Sequence, residues 1–206
     1  LPIVLSPFVV RAEISVTEIM YDHSGADTDL EWVEYYNSGG DTVSLSGWKF
    51  NDGANHTLNN PPMNGGMGSL EIGPGEYIVL AGNANVFLGE FTSFAGTLID
   101  TVMSLTNTTD TISLIDDTDS TASTYTYNAE SGGAGDGTSL SKIGGIWKSG
   151  TPTPGKINSE SVVDDNPDDG GEGSESTTST ELGTEEAEIE AFIPPEFAVE
   201  ILSDII

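Results

Sequence analysis

Carboxylates are the side chains of this sequence whose spacing most clearly suggests chemistry. Asp22, Asp27, Asp29 and Glu31 lie close together, and a second acidic group occupies residues 116–119. Oxygen-rich loops of this kind can hold Ca²⁺, which takes about six to eight oxygen ligands. The spacing does not match an EF-hand, because no glycine and distal glutamate complete such a loop. We therefore expect solvated loop charge, with a Ca²⁺ site at the first group as the alternative.

Catalytic chemistry finds little support in this sequence. His23 and His56 are the two histidines, and neither lies in a hydrolase signature such as G-x-S-x-G or H-E-x-x-H. The chain has no cysteine, which excludes a disulfide scaffold, a thiolate metal site and a cysteine nucleophile. The glycine-rich runs lack the lysine and following helix of a phosphate-binding loop. We predict that the protein is not an enzyme and has no cofactor.

The chain is strongly acidic, with a formal net charge of −29 and five basic residues among 206. Contact with nucleic-acid phosphates requires clustered Lys and Arg, so direct nucleic-acid binding is not expected. A charge of this size keeps a protein soluble and makes its copies repel one another. We interpret it as typical of an extracellular or high-salt environment.

Short apolar segments separated by turn-forming residues indicate an all-β fold over residues 13–158. Residues 31–37 and 44–50 each carry a tryptophan, and the Gly-Gly-Asp turn between them predicts neighbouring antiparallel strands. Gly47 shifts the phase of the apolar pattern, which marks a bulge or a sharp bend. Residues 84–91 are predicted to be a short helix or a loop. The predicted strands are Ile14–Tyr21, Glu31–Asn37, Val43–Phe50, Tyr77–Ala81, Thr111–Ile115, Ser123–Tyr127 and Ser139–Ile143, with short pieces near Leu70 and Leu98.

Both ends of the sequence differ from this central part. The apolar run at 1–12 ends in Val10-Arg11-Ala12 and predicts the remnant of a secretory signal peptide, with a first strand as the alternative. Residues 159–198 are rich in Ser, Thr, Glu, Asp and Gly and contain no basic residue, so they predict a disordered acidic spacer. Residues 202–206 repeat the pattern of 16–20. We interpret 199–206 as the first strand of a second, truncated copy, or else as a short amphipathic tail.

Several motifs together resemble the lamin tail domain, a family of immunoglobulin-like β-sandwiches. They are E-W-V-E-Y-Y-N at 31–37, L-S-G-W at 45–48, I-G-P-G-E-Y-I-V-L at 72–80, L-T-N-T-T-D-T-I-S-L at 105–114, G-T-S-L at 137–140 and T-P-G-K-I-N at 153–158. Thr109 departs from the family's glycine, and Ser141-Lys142 departs from its Glu-Arg. The resemblance implies an antiparallel sandwich in which the matched residues are structural. These are Glu31, Trp32, Glu34, Asn37, Gly47, Trp48, Pro74, Gly75, Asp110, Pro154, Gly155 and Asn158.

The resemblance also implies a class of function. Lamin-tail-like modules of prokaryotes are non-catalytic structural or interaction domains of secreted or cell-surface proteins, which is the function we expect. The alternative is an accessory substrate-docking domain of an extracellular hydrolase or nuclease whose catalytic domain lies outside this sequence. Partners would be proteins or cell-surface glycans, with membrane attachment only through an anchor outside the sequence. Sheet edges and loops would bind them, and the expected anchors are the exposed members of Trp32, Tyr35, Tyr36 and Trp147.

Overall fold

The structure of the protein, a computed structural model, describes residues 14–25 and 27–159. All of them belong to the first of the two units into which the chain divides, Leu1–Val163. The predicted signal remnant at 1–12, the acidic spacer beyond residue 159 and the repeat at 199–206 lie outside the described residues. None of the helices in the described ranges has the length and apolar character needed to cross a membrane.

The described residues form two sheets that pack face to face, with a small third ribbon. The larger sheet has six strands in the order β12-β11-β1-β2-β7-β8, the smaller has four in the order β10-β9-β4-β5, and β3 pairs with β6. The elements are β1 Ile14–Met20, β2 Trp32–Asn37, β3 Val43–Ser44, β4 Lys49–Asn51, β5 Asn55–Thr57, β6 Glu71–Ile72, β7 Tyr77–Ala81, α1 Ala84–Glu90, β8 Thr97–Asp100, β9 Thr109–Ile115, β10 Thr121–Asn128, β11 Ser139–Ile143 and β12 Ile146–Gly150. This arrangement confirms the predicted all-β, immunoglobulin-like sandwich.

The main core lies between the two sheets. Successive side chains of a strand point to opposite faces, so Val33 and Tyr35 of β2 face inward together. They belong to one buried cluster with Ile112 and Leu114 of β9, and all four are fully buried. Trp32, Glu34 and Tyr36 of β2 face away from this core. The outer face of the six-stranded sheet is therefore available for a second layer.

The predicted strand at 43–50 is in fact two strands in different sheets. Val43 pairs with Ile72, whereas Phe50 pairs with Leu114 and His56. Gly47 adopts a positive φ of 79° between them, which is the sharp bend that the phase shift predicted. The expectation that this segment would pair with residues 31–37 is wrong, because β2 pairs with β1 and β7 instead. The bend moves the chain from the β3–β6 ribbon to the four-stranded sheet.

One pair of neighbouring strands is parallel rather than antiparallel. β7 and β8 run in the same direction, and α1 forms the connection between them. A parallel pair requires such a crossover, which explains why the predicted short helix or loop at 84–91 is a helix. Asn83 caps it by accepting a hydrogen bond from the backbone N–H of Val86 at 3.2 Å. The sequence pattern missed β5 and β12, whose few apolar residues give no alternation.

Asn37 fastens the end of β2 to the following ribbon. Its buried side-chain amide donates to the carbonyl oxygens of Asp41 at 2.8 Å and Ile72 at 3.0 Å, and its Oδ1 accepts from the backbone N–H of Gly39 at 2.9 Å. The amide thus closes the turn after β2 and ties that turn to β6.

We expect Asn37→Ala to lower the free energy of unfolding by about 2–4 kcal/mol, because it removes one buried and two partly buried hydrogen bonds. Urea unfolding followed by tryptophan fluorescence measures this. The matched control is Asn55→Ala, which removes an exposed amide and should change stability by less than about 0.5 kcal/mol. Equal losses in the two variants would contradict the role assigned to Asn37.

Candidate functional site

Two buried carboxylates lie side by side on the outer face of the six-stranded sheet. Glu18 of β1 and Glu34 of β2 are cross-strand neighbours, and both side chains are fully buried. Burying a carboxylate is costly unless hydrogen bonds surround it. The hydrogen-bond donors to these two carboxylates therefore determine which part of the chain covers this face of the sheet.

Glu18 accepts hydrogen bonds from β11 and from the chain that follows β12. The hydroxyl of Ser139 donates to its Oε1, as does that of Ser141 at 3.1 Å. The backbone N–H of Thr153 lies 3.1 Å from Oε1 and 3.2 Å from Oε2. One carboxylate thus joins three separate parts of the chain.

Glu34 holds the next residues of the same segment, 153–158, which we call the closing segment. Its Oε2 accepts from the backbone N–H of Gly155 at 2.7 Å, and its Oε1 accepts from the hydroxyl of Thr17 at 2.6 Å. Asn158 completes the attachment by donating to the carbonyl oxygen of Thr17 at 2.6 Å and accepting from the Thr153 hydroxyl at 2.9 Å. The two carboxylates therefore act as a clamp on the closing segment.

Gly155 is required here for two separate reasons. Its φ of 78° lies in the left-handed region that side chains disfavour. A Cβ at this position would also lie 2.9 Å from the ring of Phe94, which packs directly on the glycine. Phe94 in turn meets Phe87 of α1 edge-to-face at 5.1 Å between ring centroids. The closing segment is thus wedged between the clamp and the aromatic cluster of α1.

Burial raises the pKa of both carboxylates of the clamp. Burial raises the pKa of Glu34 to about 8, and the neighbouring Glu18 adds to the shift, while the hydrogen bonds from Thr17 and the closing segment oppose it. Burial likewise raises the pKa of Glu18, against its bonds from Ser139, Thr153 and Ser141. The folded state therefore favours the neutral form of each group.

An open groove of about 420 Å³ borders the closing segment. Its walls are the loop after α1, with Phe91 and Phe94, and the segment 152–156, and Ala95 lies on its rim. A neighbouring hollow of about 440 Å³ shares Ala95 and continues to Tyr77. Tyr77 packs against Tyr36 with ring centroids 4.6 Å apart. The groove is concave and largely apolar, as binding clefts usually are.

Of the four acidic side chains at 22–31, two share a hydrogen-bond partner and the other two lie apart from it. Asp22 and Asp27 both accept from the Asn107 amide at 2.9 Å, and Glu31 accepts from the backbone N–H of Leu105 at 3.0 Å. Burial raises the pKa of Glu31 to about 7, with nearby carboxylates adding to the shift. Asp29 is an exposed turn residue with a φ of 66°. Within the described ranges, no group of three or more acidic, His or Cys side chains is placed to hold a metal ion.

Each histidine faces a carboxylate. His23 Nε2 lies 2.6 Å from Glu90 Oε1, and His56 Nε2 lies 2.9 Å from Asp52 Oδ1. The first pair ties the loop after β1 to the end of α1, and the second spans the β4–β5 turn. Both histidines thus have structural contacts, in keeping with the absence of a hydrolase signature around them.

The lamin tail domain family model matches residues 10–129, which is more than half of the chain. The chain belongs to the lamin tail domain family. Comparisons with curated proteins and with solved structures found no match. The family consists of non-catalytic, immunoglobulin-like domains. The matched range ends just after β10, so β11, β12 and the closing segment of this lamin tail domain lie beyond it.

The structure gives a physical reason for several motif residues of the lamin tail domain. Trp32 fills a second buried cluster under α1, meeting Phe87 edge-to-face at 5.8 Å, and Trp48 belongs to the main core. Pro74-Gly75 forms the turn that enters β7, where Gly75 donates its N–H to the Asn37 carbonyl oxygen at 2.8 Å. Asp110, on β9, is half-buried. Pro154 lines the groove.

The four aromatic residues expected to anchor a partner divide into two pairs. Trp32 and Tyr35 are buried, at 1% and 0% exposure, so the structure removes them as anchors. Tyr36 and Trp147 remain half-buried at the surface. The expectation concerned the exposed members of this set, so it now rests on Tyr36 and Trp147 alone.

The sequence reasoning missed half of the clamp. Glu34 and Ser139 belong to the family motifs, and Ser141 stands where the family has glutamate, but no motif includes Glu18 or Thr17. The signal of the clamp was a glutamate in the middle of each of two apolar strands, followed much later by two serines one residue apart. A polar residue at such a position is usually solvent-exposed, so the pattern alone does not indicate burial.

The clamp predicts that this lamin tail domain loses stability as the pH rises. A carboxyl group whose pKa is raised on folding stabilises the folded state most at a pH below its unfolded pKa of 4.5. For Glu34 this contribution is lost as the pH rises towards about 8. Since one pKa unit is worth about 1.4 kcal/mol, we expect Tm to fall by roughly 5–10 °C between about pH 5.5 and pH 8.5. Calorimetric melting across this range measures the fall.

Glu34→Gln should flatten this dependence. Its amide oxygen can still accept from Gly155, and its NH₂ can donate to the Thr17 hydroxyl, but it cannot ionise. Glu71→Gln, which neutralises an exposed carboxylate of β6, is the matched control and should keep the wild-type slope. An equal slope in Glu34→Gln and wild type would contradict the assignment.

The loop geometry predicts that Ca²⁺ has no specific effect, because Asp22, Asp27 and Glu31 accept hydrogen bonds from groups of the chain. We expect Tm in about 5 mM CaCl₂ to equal Tm in MgCl₂ of the same concentration within about 1 °C. Matching the ionic strength separates specific binding from screening of the −29 charge. A rise with Ca²⁺ alone would restore the site at Asp22, Asp27, Asp29 and Glu31.

Proposed function

We propose that this lamin tail domain is a structural and interaction module of a secreted or cell-surface protein, and that the chain has no catalytic role. The observation that carries the proposal is the clamp. Glu18 and Glu34, two buried carboxylates whose pKa values are raised, hold the chain's own closing segment. A raised carboxyl pKa often marks a catalytic acid. Here, however, both carboxylates are buried and hydrogen-bonded to the chain itself, so neither is accessible to a substrate.

The groove beside the closing segment is the surface we propose for recognition. Phe91, Phe94, Pro152 and Pro154 give it apolar walls, and the Lys156 side chain at its rim is one of only five basic groups in the sequence. Rigid rings and prolines lose little conformational entropy when a partner binds. Such a surface fits a protein segment or a cell-surface glycan, and the net charge of −29 disfavours nucleic acid.

Three features of the sequence support the secreted or cell-surface location in this proposal. The chain contains no cysteine, so its folding does not depend on a redox environment. Its charge keeps copies apart and soluble at high concentration. A domain of about 145 residues buries roughly two-thirds of its unfolded surface, which suffices for stability without disulfides.

The test is binding of the purified chain to isolated cell envelopes of the producing organism, measured by co-sedimentation. We expect retention, and we expect Ala95→Arg to reduce it by about tenfold, because the long side chain would fill the groove where its two parts meet. The control is Ala54→Arg, which makes the same change in the exposed β4–β5 turn, outside the residues that line the groove. This variant should bind as wild type does. Antibodies against the domain should also label intact, unpermeabilised cells.

Two outcomes would contradict the proposal. Labelling only after permeabilisation would exclude a surface location. Retention unchanged by Ala95→Arg would exclude the groove as the recognition surface. Retention on insoluble polysaccharide in place of envelopes would instead favour an accessory domain that docks the substrate of a hydrolase.

A further inference from the structure

The free edge of the four-stranded sheet is unusual for this protein. Its strand, β10 (Thr121–Asn128), is the longest among the described residues and pairs on one side only, with β9. It contains no charged residue, no proline and no glycine. Edge strands commonly carry charges, proline, bulges or a covering loop that prevent them from pairing with another chain.

The other sheet edges are protected in these ways. β5 has three residues, and β8 is bridged by Met67, whose backbone exchanges hydrogen bonds of 2.8 and 3.0 Å with Leu98. β12 carries Lys148 and ends at Gly150. The one irregularity of β10 is a register shift near its start, between Thr121 and Ser123.

The register of β10 shows which backbone groups face outward. Ala129 donates its N–H to the Thr108 carbonyl oxygen at 2.7 Å, so alternate residues before it direct their backbone groups toward β9. Thr124, Thr126 and Asn128 therefore present N–H and C=O groups to the open side. All three residues are exposed, and none of their backbone groups makes a further backbone hydrogen bond within the described ranges.

The face beside this edge is equally free of charge. Thr126 and Thr111 are linked through their hydroxyls at 2.7 Å, and Thr124 and Ser113 at 2.9 Å. In a chain of net charge −29, contact between copies is opposed wherever carboxylates meet. The β10 edge is a place where two copies can approach without bringing carboxylates together.

We propose that two copies of this chain pair through β10, antiparallel and about a two-fold axis at Thr126. This register places Thr126 opposite its counterpart and Thr124 opposite Asn128 of the partner subunit. The outward N–H and C=O groups of these three residues then exchange hydrogen bonds, and the two four-stranded sheets become one. The half-buried Tyr125–Trp147 stack, with centroids 4.2 Å apart, lies at the same rim and gains cover from the second copy.

The size of the interface makes this a weak and reversible dimer. An eight-residue strand is about 27 Å long, and an edge contact of that length falls below the roughly 1,200 Å² of stable interfaces. Association should tighten as salt increases, because screening reduces the repulsion between two strongly negative copies while leaving an uncharged contact intact. An interface built on ion pairs would show the opposite dependence.

Sedimentation velocity of the full chain tests the proposal. We expect concentration-dependent dimerisation in the range of about 10–500 μM, stronger at about 1 M than at 0.1 M NaCl. Thr126→Lys and Thr126→Glu should each weaken self-association at least about tenfold, because each places like charges directly opposite one another. An equimolar mixture of the two variants should recover dimers. Thr57→Lys, at the opposite edge of the same sheet, should dimerise as wild type.

A cysteine variant tests the register. Directly opposed, hydrogen-bonded residues have Cα atoms about 5.5 Å apart, a separation suited to a disulfide. Because the chain has no cysteine, oxidised Thr126→Cys should form a covalent dimer, whereas Thr57→Cys should stay monomeric. A wild-type chain that is monomeric throughout would overturn the proposal. So would dimers that persist in both charged variants, or a mixture of them that does not associate.

Discussion

The burial of Glu18 and Glu34 is the constraint on which the outer layer of this lamin tail domain depends. Two carboxylates in the middle of a sheet face would destabilise it if they were covered by apolar side chains alone. The chain instead returns after β12 and supplies backbone N–H groups from Thr153 and Gly155. These polar residues in the sheet thereby specify which segment covers it and in what position.

The same face is apolar at its other end, which explains why the sandwich has a third layer. Trp32 and Leu98 continue the sheet surface beneath α1, and Phe94 joins this cluster to Gly155. The parallel β7–α1–β8 connection places the helix there, because a crossover must pass over one face of its sheet. A polar clamp and an apolar cluster thus cover adjacent parts of one face. The groove lies where these two coverings meet.

Much of this fold could be predicted from the sequence, and the limits of that prediction have physical causes. Strands such as Tyr77–Ala81 and Ser139–Ile143 were located because strand periodicity and turn residues agree. The pairing partners of residues 43–50 were not, because Gly47 indicates a bend without saying which sheet receives the chain. The family motifs pointed to Glu34 and Gly155. The contact between them joins residues 121 positions apart in the chain, which no local pattern encodes.

Charge links the interior of this domain to its surface. Folding places two carboxylates where the neutral form is favoured, in a chain that otherwise keeps a large negative charge. The negative charge makes two copies repel each other. Contact is therefore least opposed at the few parts of the surface that carry no charged side chains. The β10 edge and the groove beside Ala95 belong to different layers of the sandwich, since β10 lies in the four-stranded sheet and the groove borders the closing segment over the other. The pairing proposed for the β10 edge would therefore leave the proposed recognition groove uncovered.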